Sequence, residues 1–355
     1  MAQASSAQQR WSLCPAGNLT TAMFHGDTAN LGSFGPVARA QAVGQGDLEP
    51  KALAKHVRAT LLAGEVTVGD RVLRLEPLAP SIGTIVHGAD LAGPLGPEMF
   101  SFLKQLWLDR KVIFFRGQGH LTRSQHIQLA EQFGTIGSHH GERDWVPDFH
   151  PQYSPKEFPD LLQIYSNEQT PAAAEAWHSD VMWSTRPPMA SMLLCRTKPP
   201  VGGDTCFLDS YAAWEGLRPE TKVRLEELQG LQVGGMGHSK GGKIPQAVHP
   251  CVRTHPETGG STLFVTPGFT RQILGVSEEE SRKLLKECFK QVSKQEFVCR
   301  FRWEPGSLAF WDNRAVFHKA VADFWPYERH MERVTVLDKD ESRKVPYFRP
   351  NRAKL

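Results

Sequence analysis

Cysteine is sparse in this chain and is not spaced for a zinc ribbon or a redox dithiol. The six Cys among 355 residues, at 14, 195, 206, 251, 288 and 299, contain no C-x-x-C pair. A redox dithiol is therefore not indicated, and a reduced, cytoplasmic setting is the default. No apolar run approaches the ~20 residues a membrane helix needs, so no membrane partner is expected. There is no long Lys/Arg run, and the formal net charge is +3 with a pI near 8.5. That field is too weak to argue for nucleic acid. No internal repeat is visible. Acids are nearly missing from the start of the chain, where Asp27 is the only one before Asp47. Residues 1–46, rich in Ala, Ser, Gln and Gly, read as a flexible N-terminal segment. Arg10 and Arg39 are its only positive charges, so organellar targeting is weakly signalled and left open.

What is present is ordinary for a globular protein: 40% hydrophobic and 22% charged residues. Residues 47–355 are long enough for one elaborated domain. A short helix is expected over 51–62, and Arg71–Leu75 alternates like a strand. Pro97 opens an amphipathic helix carrying Met99, Phe100, Leu103, Leu106 and Trp107. Lys111–Phe115 reads as a buried strand. Thr122-x-x-Gln125 and Ser277-x-x-Glu280 are capping boxes, each opening a helix. Residues 134–160, rich in Pro and His, read as a loop. From Leu161 onward the chain turns to short strands with Gly/Pro punctuation, interrupted by a helical stretch from Tyr211 to Leu228. Helices first and many short strands later predict an α+β, mainly β architecture: a double-stranded β-helix (jelly roll) with flanking helices.

The chemistry centres on Trp177-His178-Ser179-Asp180-Val181-Met182-Trp183. On an extended strand His178 and Asp180 would project to one side. Two histidines and one carboxylate, with the opposite positions open, suit non-haem Fe(II). The motif is cheap: with 14 His in the chain, His-x-Asp should arise about 0.7 times by chance. A second copy, His25-Gly26-Asp27, lacks strand-like flanks. The remaining ligand would come from a distant strand, and His318 is the candidate. It follows an apolar strand and a turn at Asp312-Asn313. Arg329 and Arg333 lie four apart, so on a strand they share a face, and guanidinium forks match carboxylate, sulfonate or phosphate oxygens. Gly202-Gly203 reads as a hairpin turn, with Thr205 starting the next strand and offering a hydroxyl. Trp183, Phe269 and Phe317 are apolar candidates for a pocket wall, and ordinary core packing explains them as well.

Taken together, these residues resemble the taurine dioxygenase family of Fe(II)/2-oxoglutarate oxygenases. The resemblance runs from Leu73 to Leu337. It is carried by Val112-Ile113-Phe114-Phe115-Arg116, the His178 segment, Gly202-Gly203-Asp204-Thr205, His249-Pro250 with Val252-Arg253, Gly268-Phe269-Thr270, and Trp311-Asp312-Asn313-Arg314 leading through His318 to Arg329 and Arg333.

The resemblance implies that His178, Asp180 and His318 bind Fe(2+). It implies that 2-oxoglutarate chelates the metal, with its far carboxylate on Arg329 and Thr205. It further implies that O2 is consumed, giving succinate, CO2 and a hydroxylated substrate. Arg333 falls at the family's substrate-anion arginine, and His139 near a histidine that helps hold a sulfonate, with His140 adjacent. The implied substrate is a small anion, foremost an alkyl sulfonate such as taurine, giving aldehyde and sulfite. An aryloxyacetate-type carboxylate and an alkyl sulfate ester are the alternatives. The loop from Gly134 to Gln169 departs from the family pattern, and Ala174 stands about where taurine-specific members carry Asn. Two readings of other classes remain: a jelly-roll binding protein without catalysis, and a zinc hydrolase using the same three ligands. The second leaves Arg329 and Thr205 without a role. Homo-oligomerisation is left open.

Overall fold

The structure is a computed structural model and describes residues 64–137, 155–170, 176–235 and 243–350. The N-terminal segment, the 51–62 helix, His139, His140 and Ala174 lie outside the described residues.

Among the described residues nine strands form the main sheet. Glu65–Val68, Arg71–Pro77, Thr84–His87, Val112–Phe115, Leu308–Asp312, Ala190–Thr197, Arg329–Leu337 and Thr135–Ile136 follow one another across it, and Leu161–Ser166 also pairs with Arg329–Leu337. Among the described residues only the Thr84–His87 to Val112–Phe115 pairing is parallel. A three-stranded sheet of Val298–Phe301, Thr205–Asp209 and Val316–Ala320 packs on one face of the main sheet. Gln246–Pro250, Gln229–Val233 and Thr270–Leu274 form a second small sheet.

The apolar runs are explained by burial on both faces. In Val112–Phe115, Val112 and Phe114 face the three-stranded sheet, while Ile113 and Phe115 face helices. Leu308–Asp312 divides in the same way: Ala309 and Trp311 go to the sheet side, Leu308 and Phe310 to the helix side. Phe114 stacks on Phe301 across the two sheets with centroids 3.9 Å apart. On the other side Trp107 stacks on Phe310 at 4.7 Å. Each such fully buried ring contributes about 1.5–3 kcal/mol of transfer free energy.

The helices start where the sequence signals them. Pro97–Arg110 has Pro at its first position and ends on Lys111 in the left-handed region. Thr122 and Gln125 complete both halves of the capping box of Arg123–Phe133. Ser277 caps Glu278–Gln291 through the Glu280 N–H. The expected Tyr211–Leu228 helix is two pieces, Ser210–Glu215 and Pro219–Glu226, because Pro219 cannot continue a helix begun before it.

Gly202-Gly203 is not a hairpin turn. Both residues have positive φ, and they carry the chain from the main sheet into the three-stranded sheet, where Thr205–Asp209 pairs with Val298–Phe301 and Val316–Ala320. A side chain at Gly203 would meet Pro199 Cγ at 2.8 Å, so the crossing needs glycine.

Candidate metal centre

The site lies between the two sheets. His318 comes from the Val316–Ala320 strand, where alternation sends Val316 and His318 inward and Phe317 outward into a separate core. His178 meets it as an isolated antiparallel bridge. The His178 N–H donates to His318 O at 3.1 Å, and the His318 N–H to His178 O at 2.7 Å. The rings lie 4.3 Å apart, centroid to centroid.

The expected strand through this motif does not form. The bridge is one residue long, and the chain turns at Asp180. Val181 has φ 51, an outlier conformation for a β-branched residue. His178 and Asp180 nonetheless reach one point: a ligand atom from each of His178, Asp180 and His318 lies within 4.8 Å of the others, and all three residues are buried.

Donor chemistry fits a divalent metal. The His178 Nδ1–H donates to Ala176 O at 2.8 Å, which leaves the Nε2 lone pair available. Burial, and then the neighbouring His178, hold His318 down to about 3, so it is neutral at physiological pH. Burial also lowers His178. Burial alone would raise the Asp180 carboxyl, but Arg333, His318 and His178, with the Ser191 hydroxyl bond, outweigh it and hold Asp180 below the usual carboxylate range. The set is two neutral imidazoles and one carboxylate.

Arg329, Met331 and Arg333 alternate on the inward face of Arg329–Leu337, as four-residue spacing on a strand requires. Glu332 points the opposite way and accepts from Arg123 Nε and Arg196 Nε, each at 2.7 Å. The two inward arginines differ in partner. Arg333 Nη1 donates to Asp180 Oδ1 at 2.6 Å. Arg329 Nε donates to Gly203 O at 3.1 Å, and its Nη2 lies 3.5 Å from Thr205 Oγ1. Arg329 is only 6% exposed, and among the described residues no carboxylate pairs with it. Burial lowers it to about 10, which leaves it charged at neutral pH. A buried cation with only neutral oxygens around it is stabilised by an incoming anion.

Phe269 stands edge-on to His178 at 5.6 Å and to Trp183 at 4.5 Å. Phe317, the third apolar candidate, packs away from the site in the core beside Glu278–Gln291. Gly268 brings this wall close: its N–H donates to Trp177 O at 3.1 Å. The sequence gives no role to Ser191, and Asn313 stands in it only within the segment that carries the family resemblance. Ser191 Oγ donates to Asp180 Oδ2 at 2.6 Å, and Asn313 Nδ2 donates to Ser191 Oγ at 3.2 Å.

A buried His/Asp/His cluster with a carboxylate-free arginine beside it, set between two sheets, defines a class: the Fe(II)- and 2-oxoglutarate-dependent dioxygenases. The chain belongs to the taurine catabolism dioxygenase TauD, TfdA family, whose model matches residues 74–335. A Schizosaccharomyces pombe protein assigned as an alpha-ketoglutarate-dependent sulfonate dioxygenase is 30% identical over 296 residues, covering 79% of this chain and 72% of that one. An alkylsulfatase of Acinetobacter baylyi is 29% identical over 281 residues, covering 74% and 84%. The crystal structure of a taurine dioxygenase from Burkholderia xenovorans matches with a TM-score of 0.66 and 32% identity, over 79% of this chain and 96% of that one. The protein is accordingly an oxidoreductase that requires Fe(II), 2-oxoglutarate and O2. Among the described residues no helix is long and apolar enough to cross a membrane.

Proposed function

We propose that the enzyme hydroxylates a small monoanionic substrate, foremost an alkyl sulfonate, with the two facing sheets forming the halves of a double-stranded β-helix. His178, Asp180 and His318 hold Fe(II). Arg329 and Thr205 hold the far carboxylate of 2-oxoglutarate. Arg333, with His139 from the loop, holds the substrate anion.

Arg329 is the observation that carries the co-substrate assignment. It is a buried guanidinium whose described hydrogen-bond partners are neutral oxygens, Gly203 O and Thr205 Oγ1. Charge then argues for the substrate class. A ferrous ion, two guanidiniums and the Asp180 carboxylate together carry three positive charges. A dianionic co-substrate cancels two and leaves one for a monoanion. Cys195 adds nothing, since burial pushes its thiol up to about 11.

The bound iron supplies, with 2-oxoglutarate and O2, the oxidising power to hydroxylate a C–H bond, with succinate and CO2 as co-products. The protein's own part is positioning. Arg329 would anchor the far end of the co-substrate, and Arg333 the end of the substrate. Phe269 and Trp183 keep water from the histidine side. Hydroxylation at a carbon bearing sulfur gives a product that separates into aldehyde and sulfite.

A panel of alkyl sulfonates, alkyl sulfate esters and aryloxyacetates, with succinate, sulfite, sulfate and phenol measured together, tests the reading. Sulfite in step with succinate is expected from the sulfonates. Sulfate release alone assigns the enzyme to esters, in line with its similarity to the Acinetobacter alkylsulfatase. Phenol release without either anion assigns it to aryloxyacetates.

A further inference from the structure

Asp180 presents two inequivalent oxygens. Oδ1 lies 3.8 Å from His318 Nε2 and accepts from Arg333 Nη1 at 2.6 Å, so it faces the histidines and the inward arginine. Oδ2 is turned away and receives the Ser191 hydroxyl at 2.6 Å. What fixes this division can be followed donor by donor. The Trp311 indole N–H can only donate, and it donates to Asn313 Oδ1 at 2.9 Å. The Asp180 N–H also points at that oxygen, from 3.4 Å. Two donor-only groups on one side settle which way the Asn313 amide faces, so Nδ2 must be the atom at Ser191. Ser191 Oγ then accepts from Asn313 Nδ2 at 3.2 Å, and its single proton goes to Asp180 Oδ2.

All four groups are buried, Ser191 fully and Trp311, Asn313 and Asp180 nearly so. Water therefore cannot supply an alternative partner, and each bond is costly to leave unmade. The backbone holds the relay's two ends. Trp311 pairs with Ser191 across adjacent strands, and the Asn313 N–H donates to Met189 O at 2.9 Å. Ser179 Oγ, from inside the metal motif, donates to Asn313 O at 2.7 Å. The relay thus ties the metal-motif turn to the strand pair that carries Ser191 and Trp311.

We infer that Ser191 and Asn313 are positioning residues for the metal: a one-way hydrogen-bond relay, Trp311 to Asn313 to Ser191 to Asp180, occupies Oδ2 and leaves Oδ1, which Arg333 also contacts, as the oxygen offered to the ion. Binding through one carboxylate oxygen keeps the remaining coordination positions open for the co-substrate and O2, where a two-oxygen grip would take one of them. Outer partners of this kind typically set metal affinity by about 10- to 100-fold.

The inference rests on the assignment of His178, Asp180 and His318 as ligands, so the experiment includes a ligand variant. Co(II) alone, without 2-oxoglutarate, is titrated anaerobically into the full chain, and the dissociation constant and the visible absorption bands are read. Asp180→Ala is expected to abolish binding; retained binding overturns the ligand assignment itself. Ser191→Ala is expected to weaken Co(II) by about 10- to 100-fold and to shift the bands as the second carboxylate oxygen becomes available. Asn313→Ala is expected to weaken it less, and the double variant to match Ser191→Ala alone, because Asn313 acts through Ser191. If Ser191→Ala folds with unchanged Co(II) affinity and spectrum while Asp180→Ala has lost the metal, the relay is refuted and the ligand set stands. Additive losses in the double variant refute the order of the relay.

Discussion

Trp303 donates its indole N–H to the Thr205 hydroxyl at 2.9 Å, between the two sheets. That bond settles the orientation of Thr205: its oxygen accepts from Trp303, and its own proton is left to donate elsewhere. The Arg329 guanidinium lies on the same side, 6.0 Å from the Trp303 ring. A carboxylate arriving at Arg329 therefore meets a hydroxyl already turned to donate. Thr205→Val keeps the shape and removes both roles. The variant should raise the KM for 2-oxoglutarate by about 10- to 100-fold, as for a lost hydrogen bond to a charged group. It should also lose about 1–3 kcal/mol of stability in urea unfolding, because the Trp303 donor is left without an acceptor.

Arg329 and Arg333 should separate kinetically. Arg329→Ala is expected to raise the KM for 2-oxoglutarate by at least about 30-fold, the lower end of the 2–5 kcal/mol seen on truncating a buried charge partner. Arg333→Ala is expected to act mainly on the organic substrate, with 2-oxoglutarate binding much less affected. Steady-state kinetics with each substrate varied in turn checks this. Equal profiles for the two variants would mean the division of roles is wrong. Arg329→Lys should recover only part of the loss, since an ammonium cannot form the planar two-bond contact.

Gly268→Ala tests how closely the metal motif is supported from behind. A Cβ there would meet Trp177 O at 2.8 Å and His178 Cβ at 3.1 Å. Backbone has to shift, and the backbone in question carries a proposed ligand. Fe(II) affinity should fall by about 10-fold or more although no ligand or ligand partner is altered. Titration of the metal with circular dichroism as a check on folding measures it.

Acid should destabilise the fold through a buried histidine that is not a metal candidate. His126 is fully buried on the Arg123–Phe133 helix, and burial, then the nearby Arg196, lowers it from 6.5 to about 4. Between those values the unfolded chain binds a proton that the folded chain refuses. Stability is therefore intact above about pH 6.5 and declines as pH falls toward 4, by roughly 3 kcal/mol for this one group. Urea midpoints at pH 7, 5.5 and 4.5 should fall in that order, and His126→Leu should flatten the series.

The comparison of sequence with structure turns on what kind of signal each feature leaves. Burial on both faces writes itself as an unbroken apolar run, so Val112–Phe115 was readable. Alternation was enough to place Arg329 and Arg333 on one face, and the capping boxes at Thr122 and Ser277 marked helix starts. The metal residues were readable by type, but the geometry joining His178 to Asp180 was not. A one-residue bridge followed by a turn through Val181 at positive φ leaves no periodic trace. Gly202-Gly203 looked like a hairpin because a local signal cannot say that the following strand belongs to another sheet. Ser191 gave no signal, and Asn313 entered only as part of the Trp311-to-Arg314 segment, without a role of its own. A serine in an apolar strand and an asparagine at a turn gain their meaning only when Leu308–Asp312 and Ala190–Thr197 lie side by side.

Both inward arginines ride on a single nine-residue strand, with Glu332 clamped between them from the opposite face. At ~3.3 Å of rise per residue their main-chain positions are about 13 Å apart and cannot be adjusted separately. The strand works as a ruler whose two marks are ruled together. A shift of one guanidinium along the chain therefore carries the other with it. If Arg329 and Arg333 hold co-substrate and substrate as proposed, this one strand sets the spacing of the two anionic ends, and the residues around it set size and shape preference.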